Sequence, residues 1–261
     1  MAHTAVISGA TGGIGGVVAR RLWEEGYSLL CLGYTPGKVV ALQHWFSTHP
    51  RAGQQAEVRC VDVRQERQVT HLHLTLERMH APVTLLVVCH GAAPQPVVAH
   101  RATVAAVQTW QCDILGTLYV CQLVYPTMQA QHQGTMVLVS SAHALATYPQ
   151  RVPYALAKAG VCALARALAV EWGADGITVN ALAPWQVEGE RSTAVAAREH
   201  AESGIDTLEL YRQRSPLRQL VPPEDVAETV LWLVRTPRMT GQTICLDAGV
   251  GVNMWHRPFL E

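Results

Sequence analysis

Charge is what this sequence has least of. Asp, Glu, Lys and Arg make up 15% of its 261 residues, while apolar residues reach 49%; an ordinary soluble domain carries about 25% charged residues. That balance excludes a disordered chain and predicts a large buried core, with more apolar surface than a monomer needs. Twenty basic residues meet twenty acidic ones, so no basic stripe is available to track the phosphates of a duplex, and nucleic acid is not expected as a partner. The longest uncharged stretch, Ile114 to Gln150, is broken by Pro126, Gly134 and several Gln and His residues. It stays short of the about 20 apolar residues that cross a bilayer, so no membrane span is expected. Residues Met1 to Gly9 lead directly into a strand and a glycine turn, without a basic region or an apolar signal core, and the expected location is the cytoplasm. The seven cysteines, at 31, 60, 89, 112, 121, 162 and 245, never form Cys-x-x-Cys and read as buried reduced thiols. His71, His73, His80, His90 and His100 lie in different predicted elements without a Cys or carboxylate at ligand spacing, so no metal is expected. Neither Gly-x-Ser-x-Gly nor His-Glu-x-x-His is present, which removes the common hydrolase readings.

What is present is an alternation. His3–Ser8, Leu29–Leu32, Ala56–Val61, Val83–Cys89, Thr135–Val139, Ile177–Leu182 and Thr243–Leu246 are short, mostly continuous apolar runs. Helical patterns lie between them, the first at Ile14–Glu25 and stopped by Gly26. Strands apolar on both faces predict a parallel sheet covered by helices on each side. The expectation is one α/β domain over residues 1–261, doubly wound around seven parallel strands as a Rossmann fold. The patterns Val104–Met128 and Tyr154–Trp172 carry almost no charge. One side of each covers the sheet, and the other is expected to meet a second copy, giving a homotetramer or homodimer. Between Pro184 and Ser215 charged and small residues replace strands, with short helical patterns at Thr193–Glu202 and Thr207–Arg214. A segment of this length inside a compact domain predicts a substrate lid over about 185–215.

Ser8-Gly9-Ala10-Thr11-Gly12-Gly13-Ile14-Gly15 sits between the first strand and the first helix. Glycine there permits the tight turn and lets a pyrophosphate approach the N–H groups of the helix N-terminus. Gly9, Thr11, Gly12, Gly13, Ile14 and Gly15 are therefore candidate cofactor contacts. At the end of the second strand, where an acid would accept from the adenosine ribose 2′-hydroxyl, the sequence has Gly33-Tyr34-Thr35. No carboxylate there repels a 2′-phosphate and no arginine in that stretch clamps one, so NADP(H) is favoured over NAD(H). Tyr34 is placed to stack on adenine, with Thr35 and Lys38 beside it. Asp62, followed by Val63 after the third strand, is a candidate acceptor for the adenine amino group or a cap for the next helix.

Tyr154 and Lys158 stand four apart on a predicted helix and share a face, and Ser141 follows the fifth strand thirteen residues before Tyr154. A phenol that titrates near about 10 is a poor base at neutral pH. An ammonium about 5 Å away at an effective dielectric near 20 favours the phenolate by about 3 kcal/mol. With the glycine turn, these residues resemble the short-chain dehydrogenase/reductase family, nearest in pattern to its 3-oxoacyl-[acyl-carrier-protein] reductase-like members, from Val6 through Thr240-Gly241-Gln242 to Asp247 and Gly249. The resemblance implies Tyr154 as acid/base, Ser141 as partner of the carbonyl oxygen, and Lys158 as binder of the nicotinamide ribose that eases ionisation of the phenol. The implied reaction is reversible hydride transfer between a nicotinamide cofactor and a ketone or secondary alcohol.

The sequence departs from the family in three places. Asp113-Ile114-Leu115-Gly116 replaces Asn-x-x-Gly; the family's Asn holds a relay water through its backbone carbonyl, which Asp also offers, while the Asp side chain adds a negative charge near Lys158. Val88-Cys89-His90-Gly91 keeps only Gly91 of Asn-Asn-Ala-Gly, and His90 is expected either to touch the cofactor or to be structural. Pro184-Trp185-Gln186-Val187 replaces the Pro-Gly stretch and puts an indole at the lid hinge. Pro184, Trp185 and Val187 remain expected cofactor neighbours. Ser141, His143, Tyr148, Tyr154, Trp185 and Tyr211, with the tail 252–261, form the expected substrate wall, and the scarcity of charge in residues 142–153 predicts a neutral, moderately apolar ligand. A second reading keeps nucleotide binding but not catalysis, leaving a sensor or interaction protein.

Overall fold

The computed structural model describes residues 3–80, 82–92, 99 and 103–252; His100 and the tail 253–261 lie outside them. Seven strands form one sheet: β1 (Thr4–Ser8), β2 (Ser28–Gly33), β3 (Ala56–Cys60), β4 (Val83–Val88), β5 (Gly134–Val139), β6 (Ile177–Pro184) and β7 (Thr243–Leu246). Their spatial order is β3-β2-β1-β4-β5-β6-β7, and every pairing is parallel. The chain winds outward from β1 to β3, crosses back, and continues from β4 to β7. The crevice beyond the carboxyl ends of β1 and β4 is thus the topological switch point, where open α/β sheets take their ligands.

Both faces of the sheet are buried, which explains the continuous apolar runs. Val6, Leu30, Leu86 and Met136 pack on one face with Val120 and Val124 of α6 (Gly116–Gln131) and Val161 and Ala165 of α7 (Val152–Trp172). Their neighbours Ile7, Leu29, Leu85 and Val137 pack on the other with Val18 and Leu22 of α1 (Gly13–Glu24) and Val226 and Val230 of α10 (Pro223–Val234). Truncating such a side chain, as in Leu86→Ala, costs about 2–5 kcal/mol. The remaining helices are α2 (Pro36–Thr48), α3 (Glu66–Thr70), α4 (His73–Met79), α5 (Thr103–Trp110), α8 (Glu190–Ser203) and α9 (Thr207–Arg214). Val152–Asp175 is long and apolar enough to cross a membrane by length and composition; here α7 packs Ala157, Val161, Ala165 and Leu168 into the domain core.

The one long helix expected over 104–128 is three pieces, α5, a π-helical turn Gln111–Leu115, and α6. Its cause is local. Thr117 donates its hydroxyl to the Asp113 carbonyl at 2.6 Å, and a Cβ at Gly116 would come within 2.9 Å of the Val63 side chain. The wider turn carries Asp113 inward, fully buried.

Candidate active site

The glycine turn works by packing as much as by leaving space. Gly9 has φ +79°, and a Cβ there would lie 2.4 Å from the His90 backbone nitrogen; one at Gly15 would lie 2.2 Å from the Gly9 carbonyl. No side chain fits at either position. At Gly13 a Cβ would meet nothing within 4 Å, and α1 begins without a side-chain cap and without an acid in its first turn. An uncapped helix N-terminus with open space above it fits the pyrophosphate of a dinucleotide.

At the end of β2 the missing acid has a steric reason. A Cβ at Gly33 would fall 2.5 Å from Thr11 Cγ2 and 2.9 Å from Val39 Cγ2, so Thr11 fills the space and Gly33 is required. Sequence reasoning found no arginine here, and the structure corrects that. Arg64, just past β3, lies with its guanidinium carbon 5.5 Å from the centre of the Tyr34 ring and donates to the Tyr34 hydroxyl at 3.3 Å. It also holds Asp62 through Nε at 2.8 Å and Nη2 at 2.7 Å. These bonds keep the Asp62 carboxyl below its usual range. Asp62 thus has Arg64 as a resident partner. Only the pairing of β2 with β3 brings residues 34 and 64 together. Lys38, expected beside Thr35, instead reaches Glu190 at 3.1 Å.

Deeper in the crevice, α7 places Lys158 and the π turn places Asp113 in a buried pair with Nζ 3.2 Å from Oδ2. Asp113 Oδ1 accepts from the Ala92 N–H at 2.6 Å. Gly91 survives from the family motif for a visible reason: a Cβ there would lie 2.9 Å from Lys158 Nζ and 3.3 Å from Asp113 Oδ1. His90 is held on both ring nitrogens, Nδ1 at 2.6 Å from Ser8 Oγ and Nε2 at 3.2 Å from the Cys112 carbonyl. A carbonyl only accepts, so Nε2 carries the proton and Ser8 donates to Nδ1. Burial, opposed by Asp113 and aided by Lys158, pulls this imidazole down to about 4. His90 is thus a neutral clamp between β1 and the π turn, and its expected cofactor contact gives way to that role. Burial pushes the Cys89 and Cys112 thiols up to about 12, which makes them inert at neutral pH. Among the described residues no group of three or more His, Cys, Asp or Glu is arranged to hold a metal ion.

Ser141 lies two residues past β5 and caps the 3-10 turn Ala142–Ala144, accepting from the His143 N–H at 3.2 Å. Tyr154 sits one turn before Lys158, whose Nζ lies 5.7 Å from the Tyr154 ring centre. The expected wall residues converge. The His143 ring is 5.5 Å from Tyr154, 4.7 Å from Tyr148 and 5.8 Å from Trp185. Trp185 meets Tyr211 edge-on at 5.9 Å, and the Tyr148 and Tyr211 hydroxyls are 3.4 Å apart. Trp185 is held by its backbone N–H to the Leu246 carbonyl at 2.9 Å, and Val187 bridges to Val221, which fixes the stretch after Pro184. Burial, with Arg151 nearby, lowers His143 to about 4. One wall member was not anticipated: Arg151, buried, lies with its guanidinium carbon 5.1 Å from the centre of the Tyr148 ring. It lay in the segment read as poor in charge, and no spacing rule distinguishes it from a surface arginine. Asp113 Oδ2, Trp185 Nε1 and Arg214 Nε are buried without a hydrogen-bond partner among the described residues.

Residues 9–251 match a family described as enoyl-(acyl carrier protein) reductase. The chain is 26% identical over 249 residues to 2,3-dihydro-2,3-dihydroxybenzoate dehydrogenase of Bacillus subtilis (strain 168), covering 94% of each chain. It is 26% identical over 259 residues to a tropinone reductase homolog of Datura stramonium, covering 96% of this chain and 92% of the other. A variant of actinorhodin polyketide ketoreductase solved with NADPH superposes with a TM-score of 0.87 at 26% identity, covering 96% of this chain and 97% of that one. A short-chain type dehydrogenase/reductase from Mycobacterium ulcerans shares the fold, with a TM-score of 0.87 at 23% identity over 96% of this chain and 90% of the other. With the glycine turn at the switch point, and with Ser141, Tyr154 and Lys158 grouped beside it, the chain belongs to the short-chain dehydrogenase/reductase family of oxidoreductases.

Proposed function

We propose that this protein interconverts a small ketone and a secondary alcohol with NADP(H), using Tyr154 as the acid/base. The observation that carries the reading is the grouping of Tyr154, Lys158 and Asp113 around the switch-point crevice, with Gly91 pressed against the Lys158–Asp113 pair. A bound nicotinamide supplies or accepts the hydride. In the reducing direction Tyr154 gives its proton to the forming alkoxide while Ser141 donates to the same oxygen. Lys158, anchored by Asp113 and within 3.4 Å of the Val139 carbonyl, holds the ribose. The relay expected through the Asp113 carbonyl shares that oxygen with the Thr117 hydroxyl. The non-catalytic reading finds no support in this geometry, because none of the three reacting side chains has been lost.

Preference for NADP(H) is supported by the absence of an acid at Gly33, by Arg64 over Tyr34, and by the NADPH in the ketoreductase neighbour. Helices α8 and α9, the second of which carries Tyr211 to the aromatic wall, are read as the lid over 185–215. Exposed Val107, Trp110, Leu115 and Leu156 beside the catalytic helix support a homodimer or homotetramer, and seven unpaired thiols support a cytoplasmic setting. Titrating tryptophan fluorescence with NADPH and NADH tests the reading. Tighter binding of NADPH supports it; binding of neither puts the sensor or interaction protein first. Light scattering that gives a single 28.4 kDa species overturns the oligomer.

A further inference from the structure

Arg151 stands one turn before Tyr154, at the start of α7, and is only 7% exposed. Its guanidinium faces the Tyr148 ring at 5.1 Å and has no hydrogen bond or ion pair among the described residues. A guanidinium does not shed its proton. None of the Arg151 nitrogens is among the fully buried polar atoms that lack a partner, so this cation keeps an edge open to a ligand, with no counter-charge among the described residues. A second donor on the same wall is also incomplete: the Trp185 indole N–H, on a residue 7% exposed, has no acceptor among the described residues. Both are tied through ring contacts to His143, which itself lies against Tyr154. No Asp or Glu takes part in these contacts.

Resting on the reading of Tyr154 as the acid/base of carbonyl reduction, we propose that the substrate is a carboxylic acid, an oxo acid in one direction and a hydroxy acid in the other, whose carboxylate is held by Arg151. One positive charge, with a further N–H on the same aromatic wall, matches a planar monoanion; a phosphate dianion calls for more donors. The rings between Arg151 and Tyr154 suit a flat apolar body linking the carboxylate to the carbonyl. The reaction leaves the carboxylate unchanged: the carbonyl carbon gains a hydride, its oxygen gains the Tyr154 proton, and the reduced nicotinamide is oxidised. The proposal puts an anion in place of the uncharged ligand expected from residues 142–153, because the single charge of that segment is buried and has no counter-charge among the described residues.

The test uses the full-length protein with two probe pairs, 3-oxocyclohexane-1-carboxylate against its methyl ester as substrates, and benzoate against benzamide as ligands measured by calorimetry with and without NADPH. The wild type is expected to prefer each acid by at least about tenfold. Arg151→Gln is expected to remove that preference and Arg151→Lys to keep part of it, with the NADPH dissociation constant within about threefold of wild type. Trp185→Phe is expected to weaken benzoate more than benzamide. Equal use of acid and ester with equal binding of acid and amide overturns the proposal. So does a carboxylate preference that survives in Arg151→Gln, or a loss of NADPH affinity in that variant, which assigns Arg151 to the cofactor instead. Benzoate bound through Arg151 in a protein that binds no NADPH sinks the oxidoreductase reading while keeping the anion site.

Discussion

Lys158 Nζ and Asp113 Oδ2 are 3.2 Å apart in a pair almost wholly withdrawn from water. The family pattern puts an uncharged Asn at 113, so this chain neutralises its buried ammonium with a resident carboxylate. Removing one partner of a buried pair costs about 3–5 kcal/mol, because the other charge stays behind. Asp113→Ala is expected to lose that much in urea denaturation. Asp113→Asn, which still accepts from the Ala92 N–H, is expected to lose less and to fall between the two. Equal, small losses would show that the pair contributes nothing.

Tyr154 and Lys158 share a helix face, but their assigned roles predict different damage. Tyr154→Phe removes the transferable proton and is expected to lower turnover by about a thousandfold or more, with NADPH binding near wild type. Lys158→Ala removes the ribose contact and strands Asp113, so both binding and turnover should fall. Fluorescence titration and single-turnover kinetics separate the two, and equal mild losses would contradict the assignment.

Some of this was legible in the sequence and some was not, for physical reasons. Continuous apolar runs such as Leu29–Leu32 and Val83–Val88 announce strands buried on both faces, and the observed sheet has them. The glycine turn and the Ser141, Tyr154, Lys158 spacing are local patterns and survive translation into three dimensions. Arg64 was missed because its partner Tyr34 lies thirty residues away and meets it only through strand pairing. The π turn was missed because Val104–Met128 is apolar throughout, and periodicity does not register one extra residue in a helix that has no polar face. Gly33 read as a missing acid, whereas its cause is Thr11, twenty-two residues earlier.

Arg64 and Gly33 make the cofactor preference testable residue by residue. A charge-assisted hydrogen bond is worth about 1.5–3 kcal/mol, so Arg64→Gln is expected to weaken NADPH by about 10- to 100-fold and to leave NADH within about twofold. Asp62, freed from its partner, adds repulsion toward a 2′-phosphate in that variant. Gly33→Asp is expected to destabilise the fold rather than convert the enzyme to NADH, because its Cβ meets Thr11; pairing it with Thr11→Gly opens the space. Conversion by Gly33→Asp alone would refute the steric account.

His90 and His143 predict how stability depends on pH. Both imidazoles titrate at about 4 in the folded protein, from an ordinary 6.5, chiefly because of burial. Between those values the unfolded chain binds protons that the folded chain refuses. Stability therefore rises with pH across that interval and is lost as pH falls from about 6.5 toward 4, because both lowered values favour the neutral form. Thermal melts between pH 8 and pH 5 are expected to show a falling Tm below about pH 6.5. His143→Gln, which removes one of the two groups but keeps a polar side chain opposite Thr147 Oγ1 at 2.9 Å, should make that fall shallower. A wild-type Tm flat across the interval would mean that neither ring is held neutral by its surroundings. An unchanged slope in the variant would place the whole effect on His90, between Ser8 and the Cys112 carbonyl.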